Sequence, residues 1–123
     1  MKRKILVIDD EKAIRNAFML TFENTEYDIH TAESGIEGIE KIKRNNYNLV
    51  FLDLKMPQMD GVETLNIIRE FNKDLMIYIF TAFHREFFSE LEKAANKGLS
   101  FEIVQKPLDS EQLKLLVDNL LNS

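Results

Sequence analysis

Five polar residues at the ends of apolar stretches are the side chains in this sequence best suited to chemistry: Asp9, Asp10, Asp53, Thr81 and Lys106. Carboxylates ~4 Å apart repel each other by about 4 kcal/mol at an effective dielectric constant near 20, so three of them in one crevice need compensating cations. A divalent ion and one lysine would supply that compensation. Oxygen ligands without cysteine or histidine indicate Mg²⁺, or Mn²⁺ in its place, and phosphoryl-transfer chemistry.

These side chains can meet only if the elements before them run parallel. Five apolar stretches predict strands, at residues 5–8, 27–32, 49–54, 75–80 and 101–105, and apolar residues at helical spacing follow each of them. Strands alternating with helices through short connections indicate an α/β fold with one parallel sheet between two helical layers. The carboxyl ends of parallel strands share one edge, which would bring the polar residues together. We expect a single domain over residues 1–123.

Helix caps and core positions can also be predicted. Asp10 is expected to cap the first helix, Ser34 with Glu37 to form a capping box on the second, and Asp60 to cap the third. The helical residues predicted to face the core are Ile14, Ala17, Phe18, Thr21, Phe22, Ile36, Ile39, Ile42, Val62, Leu65, Ile68, Phe71, Leu113, Leu116, Val117 and Leu120.

The composition excludes several classes of function. A net charge of −5 and a pI near 5.1 argue against a nucleic-acid-binding surface. The sequence contains no cysteine, which excludes disulfides, thiol catalysis and thiolate metal sites. No apolar stretch approaches the ~18 residues of a membrane span, and no signal-peptide pattern follows the basic start. No membrane contact and a cytoplasmic location are therefore expected.

Four motifs, in this order and at this spacing, resemble the receiver domain of two-component response regulators: ILVIDDE, VFLDLKMPQMDG, FTA and VQKP. The resemblance covers essentially the whole chain. It implies a CheY-like, flavodoxin-like (βα)5 fold with strand order 2-1-3-4-5. It also implies a phosphoaccepting signalling domain, not an enzyme, that receives its phosphoryl group from a sensor histidine kinase or a histidine phosphotransfer protein.

The same resemblance implies a role for each acidic residue. Asp53 would accept the phosphoryl group as an aspartyl phosphate. Asp10, Asp53 and the backbone carbonyl of Lys55 would bind Mg²⁺ directly, and Asp9 would bind it mainly through water.

Roles toward the phosphoryl group follow in the same way. Lys106 would pair with the phosphoryl oxygens, and Thr81, assisted by the amide of Ala82, would bind them when the domain switches. Lys106 and Pro107 would be joined by a cis peptide bond. Switching would change the surface formed by the fourth helix, fifth strand and fifth helix, which would contact a downstream protein or a fused effector. The exposed one of two adjacent phenylalanines in the fourth helix is predicted to be Phe88, which would suit such a partner surface.

One residue departs from the family pattern, and two others are expected to affect the lifetime of the phosphoryl group. Ile103 stands where family members usually carry the switch tyrosine or phenylalanine. Two alternatives stay open: Phe101 substitutes for that aromatic residue, or the aromatic part of the switch is absent. Lys55 and Phe83, each two residues beyond a site residue, are bulky enough to hinder an attacking water, which predicts slow autodephosphorylation. Ile14 is expected in the core, although it and its neighbour Ala17 could instead meet a kinase or phosphotransfer helix.

Three other functions compete with the signalling one. A receiver-like scaffold that binds proteins without switching stays open because of Ile103. An Mg²⁺-dependent aspartyl phosphohydrolase is disfavoured because Lys55 stands where such enzymes carry a second acid, and because no cap domain follows. Flavin binding is disfavoured because the loop that would hold a phosphate is acidic.

Overall fold

The computed structural model describes residues 2–82, 84–106 and 108–122. The elements are β1 (Arg3–Ile8), α1 (Lys12–Thr21), β2 (Tyr27–Ala32), α2 (Gly35–Arg44), β3 (Leu49–Leu52), α3 (Gly61–Phe71), β4 (Ile77–Thr81), α4 (Phe88–Asn96), β5 (Glu102–Gln105) and α5 (Ser110–Leu121). A short 3₁₀ helix, His84–Phe87, precedes α4. Strand boundaries differ from the predicted ones by about two residues at most, within the usual uncertainty of element ends.

The five strands form one parallel sheet in the order β2-β1-β3-β4-β5, which confirms the predicted flavodoxin-like topology. The register matters for the site. Ile8 lies opposite Leu52, so the acids that follow these two residues leave the sheet side by side. In the pairing of β4 with β5, Thr81 lies opposite Gln105, so Lys106 follows β5 next to the end of β4.

The core has two layers, one on each face of the sheet. In β1, Ile5 and Val7 pack with residues of α1 and α5, whereas Leu6 and Ile8 pack with residues of α2, α3 and α4. The four side chains are almost fully buried, which explains why β1 reads as a continuous apolar run. The strands are therefore held on both faces, and their carboxyl ends are fixed relative to one another.

Two predicted caps are present. The Asp60 Oδ1 atom accepts a hydrogen bond from the Glu63 amide at 2.9 Å, and the Glu63 carboxylate accepts one from the Asp60 amide, which completes a capping box on α3. On α2, Ser34 Oγ accepts from the Glu37 amide at 3.1 Å. Here the Glu37 carboxylate binds the amide of Glu33, one residue earlier than in a capping box.

The predicted cap at Asp10 is wrong. Helix α1 begins at Lys12, with Glu11 at the N-cap position and without a capping side-chain bond. The Glu11 amide instead donates to Asp9 Oδ1 at 2.9 Å. The turn after β1 therefore uses Asp9 to satisfy its backbone and leaves Asp10 exposed beside the site.

Three predicted core residues, Ala17, Ile36 and Phe71, are exposed. On α2, the surface that meets the rest of the fold is centred on Gly35 and Gly38. A Cβ atom on Gly38 would come within 2.4 Å of the Ile8 side chain, so the helix packs close to the sheet there and Ile36 points away. Phe71 ends α3, where the Lys43 ammonium lies 5.2 Å from the centre of its ring.

Candidate functional site

The three predicted acids meet at the carboxyl edge of the sheet. Asp9, Asp10 and Asp53 each offer a carboxylate oxygen, and these oxygens lie within 4.8 Å of one another. Backbone pairing continues just past the strands, since the Asp9 amide donates to Ala32 and the Asp53 amide to Ile8, both at 3.0 Å. Asp9 and Asp53 are buried, and Asp10 is exposed. The sheet itself thus brings the acids together.

Lys106 supplies the cation that faces these acids. Its ammonium nitrogen lies 2.9 Å from Asp9 Oδ2, 3.6 Å from Asp53 Oδ1 and 3.9 Å from Glu11 Oε1. Its side chain is only 11% exposed and lies over the ring of Phe80. One lysine thus faces two buried carboxylates, Asp9 and Asp53, and the more exposed Glu11, so negative charge is still in excess.

The ionisation of Asp53 reflects that excess. Burial is the largest cause that raises its pKa to about 6, and the Asp9 charge adds to it. Lys106, a hydrogen bond from Thr81 and the Leu54 backbone act in the opposite direction. Among the described residues, no hydrogen-bond partner reaches the buried Asp53 Oδ1 atom. This oxygen is buried, lacks a hydrogen-bond donor in the described part of the chain and lies close to two further carboxylates. Such an atom is a suitable ligand for a hard divalent cation such as Mg²⁺.

Thr81 and Ala82 lie at the end of β4, as the sequence predicts. Thr81 is fully buried, and Ala82 is exposed next to it. The backbone at this position is tied to the lysine, because the Lys106 amide donates to the Thr81 carbonyl at 3.1 Å. The predicted guard residue Phe83 and the predicted cis bond to Pro107 lie outside the described residues.

The turn after β3 is shaped by close packing around Gly61. A Cβ atom at this position would stand 2.2 Å from the Asp53 carbonyl oxygen, so only glycine lets α3 start here. The Gly61 amide donates to the Leu54 carbonyl at 2.8 Å. Lys55 extends from the same turn, and its ammonium nitrogen lies 3.5 Å from Glu86 Oε1 of the 3₁₀ helix. This exposed ion pair joins the turn after β3 to the region before α4.

Arg15 is a residue of the site that the sequence reasoning missed. Its guanidinium group donates to the carbonyl oxygen of Asp9 at 2.8 Å and to Glu33 Oε2 at 3.3 Å. The signal that could have found it is spacing: four residues after Glu11, Arg15 lies on the face of α1 that follows the acidic turn.

The surface formed by α4 and β5 differs from the acidic edge. Phe88 is 66% exposed, as predicted, and Ile103 is 44% exposed on β5. Phe101 is half-buried and packs against the core. Whether Phe101 takes the part of the switch aromatic stays a prediction.

The family model of the response regulator receiver domain matches residues 5–118. The chain belongs to this family. Among solved structures, the receiver domain resembles the response regulator TrrA of Thermotoga maritima, at 36% identity and a TM-score of 0.80, over 97% of this chain and 99% of that one. That structure is a complex with Mg²⁺–BeF. The chemotaxis protein CheY4 of Vibrio cholerae is 25% identical with a TM-score of 0.82, over 98% of this chain and all of that one.

Curated relatives include transcriptional regulators. SrrA of Staphylococcus aureus is 34% identical over 121 residues, which are 98% of this chain and 48% of that protein. ZraR of Klebsiella oxytoca is 31% identical over 119 residues, which are 95% of this chain and 26% of that protein. The chain thus spans less than half the length of these relatives. No helix in the described part of the receiver domain is long and apolar enough to cross a membrane.

Proposed function

We propose that this receiver domain accepts a phosphoryl group on Asp53 from a phosphohistidine of a sensor kinase or a histidine phosphotransfer protein. The observation that carries the proposal is the convergence of Asp9, Asp10 and Asp53 with the Lys106 ammonium at one edge of the sheet. A buried carboxylate that faces both a cation and two further acids is arranged for phosphoryl transfer.

In the proposed step, a carboxylate oxygen of Asp53 attacks the phosphorus in line with the bond to the donor imidazole. The new O–P bond forms as the N–P bond breaks, and the bonding electron pair returns to the imidazole nitrogen. Lys106 neutralises charge on the phosphoryl oxygens, and Thr81 with the amide of Ala82 would bind them afterwards. Each of these groups is at or beside the end of a strand, so little reorganisation is needed.

The proposed ligands of Mg²⁺ are Asp10, Asp53 and the carbonyl oxygen of Lys55, with Asp9 acting through water. The bound ion would supply positive charge that keeps Asp53 ionised and neutralises the phosphoryl oxygens. Without such a cation, burial raises the pKa of Asp53 to about 6, so its ionisation costs more free energy than in water. Manganese could serve in the same place, because the ligands are all oxygen atoms.

Phosphorylation is proposed to alter the surface of α4, β5 and α5, which would pass the signal to a downstream protein or to a fused effector. The exposed side chains of Phe88 and Ile103 support a role for this surface in protein contacts. Because Ile103 replaces the usual aromatic residue, a scaffold that binds without switching is the second candidate. NMR can distinguish the switching domain from the scaffold. Beryllofluoride in Mg²⁺ buffer should shift the resonances of α4, β5 and α5 in a switching domain and leave them unchanged in a scaffold.

The acceptor residue can be tested by incubating the chain with Mg²⁺ and acetyl phosphate and measuring its intact mass. We expect the wild type to gain one phosphoryl group and Asp53→Asn to gain none. Asp60→Asn is a matched control, because it removes an acid of the same loop that caps α3 and should still be labelled. Labelling of Asp53→Asn at the wild-type level would refute the assignment.

A further inference from the structure

Arg15 is a largely buried cation beside the acids, yet it contacts none of their carboxylates in the bonds described above. Its side chain is 13% exposed. The Nη1 atom donates to the backbone carbonyl oxygen of Asp9 at 2.8 Å, and the Nη2 atom donates to Glu33 Oε2 at 3.3 Å. The guanidinium group thus acts on the backbone of the segment that carries two of the three acids.

The carbonyl oxygen of Asp9 belongs to the peptide unit that leads to Asp10. Because a peptide unit is planar, a bond that holds this oxygen also sets the direction in which the chain reaches the Asp10 Cα atom. Asp9 has further anchors of its own: its amide donates to Ala32, and its two carboxylate oxygens accept from the Glu11 amide and from Lys106. The residue whose position depends most on the Arg15 contact is therefore the exposed Asp10.

The two contacts of Arg15 are unequal. Glu33 is 70% exposed, so the ion pair with it is screened by water and contributes little. The bond to the Asp9 carbonyl is partly buried, and it joins the second turn of α1 to the end of β1. A planar guanidinium group can hold both partners at once, whereas a lysine ammonium is a point charge on a flexible chain.

We propose that Arg15 is a positioning residue of the divalent-cation site: by holding the Asp9–Asp10 peptide it keeps the Asp10 carboxylate within reach of Asp53. The inference rests on the proposed function, since it assumes that these acids bind Mg²⁺. Residues that orient metal ligands typically alter metal affinity by about 10- to 100-fold when they are replaced.

The test is an Mg²⁺ titration of ¹⁵N-labelled protein, with affinity taken from the amide shifts of Asp10 and Asp53 well below the unfolding temperature. We expect Arg15→Gln to weaken Mg²⁺ binding by about 10-fold or more. Glu33→Gln should stay within roughly twofold of the wild type, because it removes only the exposed contact. Arg44→Gln removes the same charge from an exposed position at the end of α2, and we expect it to bind as the wild type does.

A second readout separates positioning from a general loss of structure. The rate of phosphorylation by acetyl phosphate, measured against Mg²⁺ concentration, should need more Mg²⁺ in Arg15→Gln but approach the wild-type maximum at saturation. If Arg15→Gln does not fold, Arg15→Lys, which keeps the charge, is used and should bind Mg²⁺ less tightly than the wild type.

The outcomes are distinct. If the wild type binds Mg²⁺ and the Arg15 variant binds it with equal affinity, the role of Arg15 is overturned. The proposed function is left intact by that result. An equal loss in Arg44→Gln would show that net charge, not position, is responsible, and would overturn the role of Arg15 too. A wild type that binds no Mg²⁺ would overturn the metal site of the proposed function itself.

Discussion

The acidic edge of the sheet and the surface of α4 and β5 are built in opposite ways. At the acidic edge, polar groups are buried: Asp53 is 3% exposed, and Lys106 is inserted among the carboxylates. At the α4–β5 surface, apolar groups are exposed, with Phe88 and Ile103 open to solvent. The first arrangement costs stability until a cation is bound, because buried carboxylates with too little counter-charge are unfavourable. The second leaves apolar surface that a partner can cover.

The difference teaches where each property of the receiver domain comes from. The acids are held by the register of β1 and β3, and Asp9 and Asp53 are buried there, so the electrostatics of these two residues are set before any ligand arrives. The region before α4 is joined to the turn after β3 by the ion pair between Lys55 and Glu86, which is exposed on both sides. Under the proposed function, the first region would store the signal and the second would respond to it.

Removing the cation of the acidic edge should have the largest effect. In Lys106→Met the buried carboxylates of Asp9 and Asp53 lose their counter-charge, and we expect the free energy of unfolding to fall by about 4 kcal/mol at pH 7 without metal. Denaturant unfolding in EDTA measures this. The loss should shrink toward pH 4, where Asp53, whose pKa is raised to about 6, takes up a proton. A change below about 1 kcal/mol at pH 7 would mean that burial does not govern this edge.

The second-largest effect on stability should come from the charge of Asp53. Its pKa rises from 3.8 in the unfolded chain to about 6 in the folded protein. The folded state therefore binds this proton more tightly, and the free energy of unfolding contributed by Asp53 falls as the pH rises from about 4 to about 6. We expect Asp53→Asn to remove this loss, so that without metal the variant is more stable than the wild type by about 2–3 kcal/mol at pH 7 and similar to it near pH 3.5.

Unfolding curves of both proteins across that pH range provide the measurement. Their difference reports the contribution of Asp53 together with its interaction with Asp9. If the difference were independent of pH, the raised pKa would be refuted, and with it the contrast between the buried acidic edge and the exposed surface.

The smallest change in stability is expected at the ion pair that joins the two regions. Because Lys55 and Glu86 are exposed, Lys55→Ala should change the free energy of unfolding by less than about 0.5 kcal/mol. The same variant should shorten the lifetime of the aspartyl phosphate several-fold, since a bulky side chain near Asp53 is removed. Loss of bound phosphate over time, followed by intact mass, checks this. A wild-type lifetime of only seconds would contradict the predicted slow autodephosphorylation.

Much of the fold was predictable because its signals are local. Apolar runs and helical spacing identify all the strands and helices, and the caps at Ser34 and Asp60 depend on residues three positions apart. The acids, Thr81 and Lys106 could be assigned to one edge because parallel strands end on the same side. Ile36 and Phe71 were misassigned because helical period alone does not say which part of an apolar stripe meets the sheet.

What the sequence by itself determined is therefore the order of the elements and the side chains that reach the carboxyl edge. Only the tertiary structure decided how those side chains pair. Lys106 meets Asp9 across 97 positions of sequence, and Arg15 reaches a backbone carbonyl that has no signature in residue type. The pKa of Asp53 likewise depends on burial and on neighbours brought together by strand register. These are distances between remote parts of the chain, and they exist only once the sheet has formed.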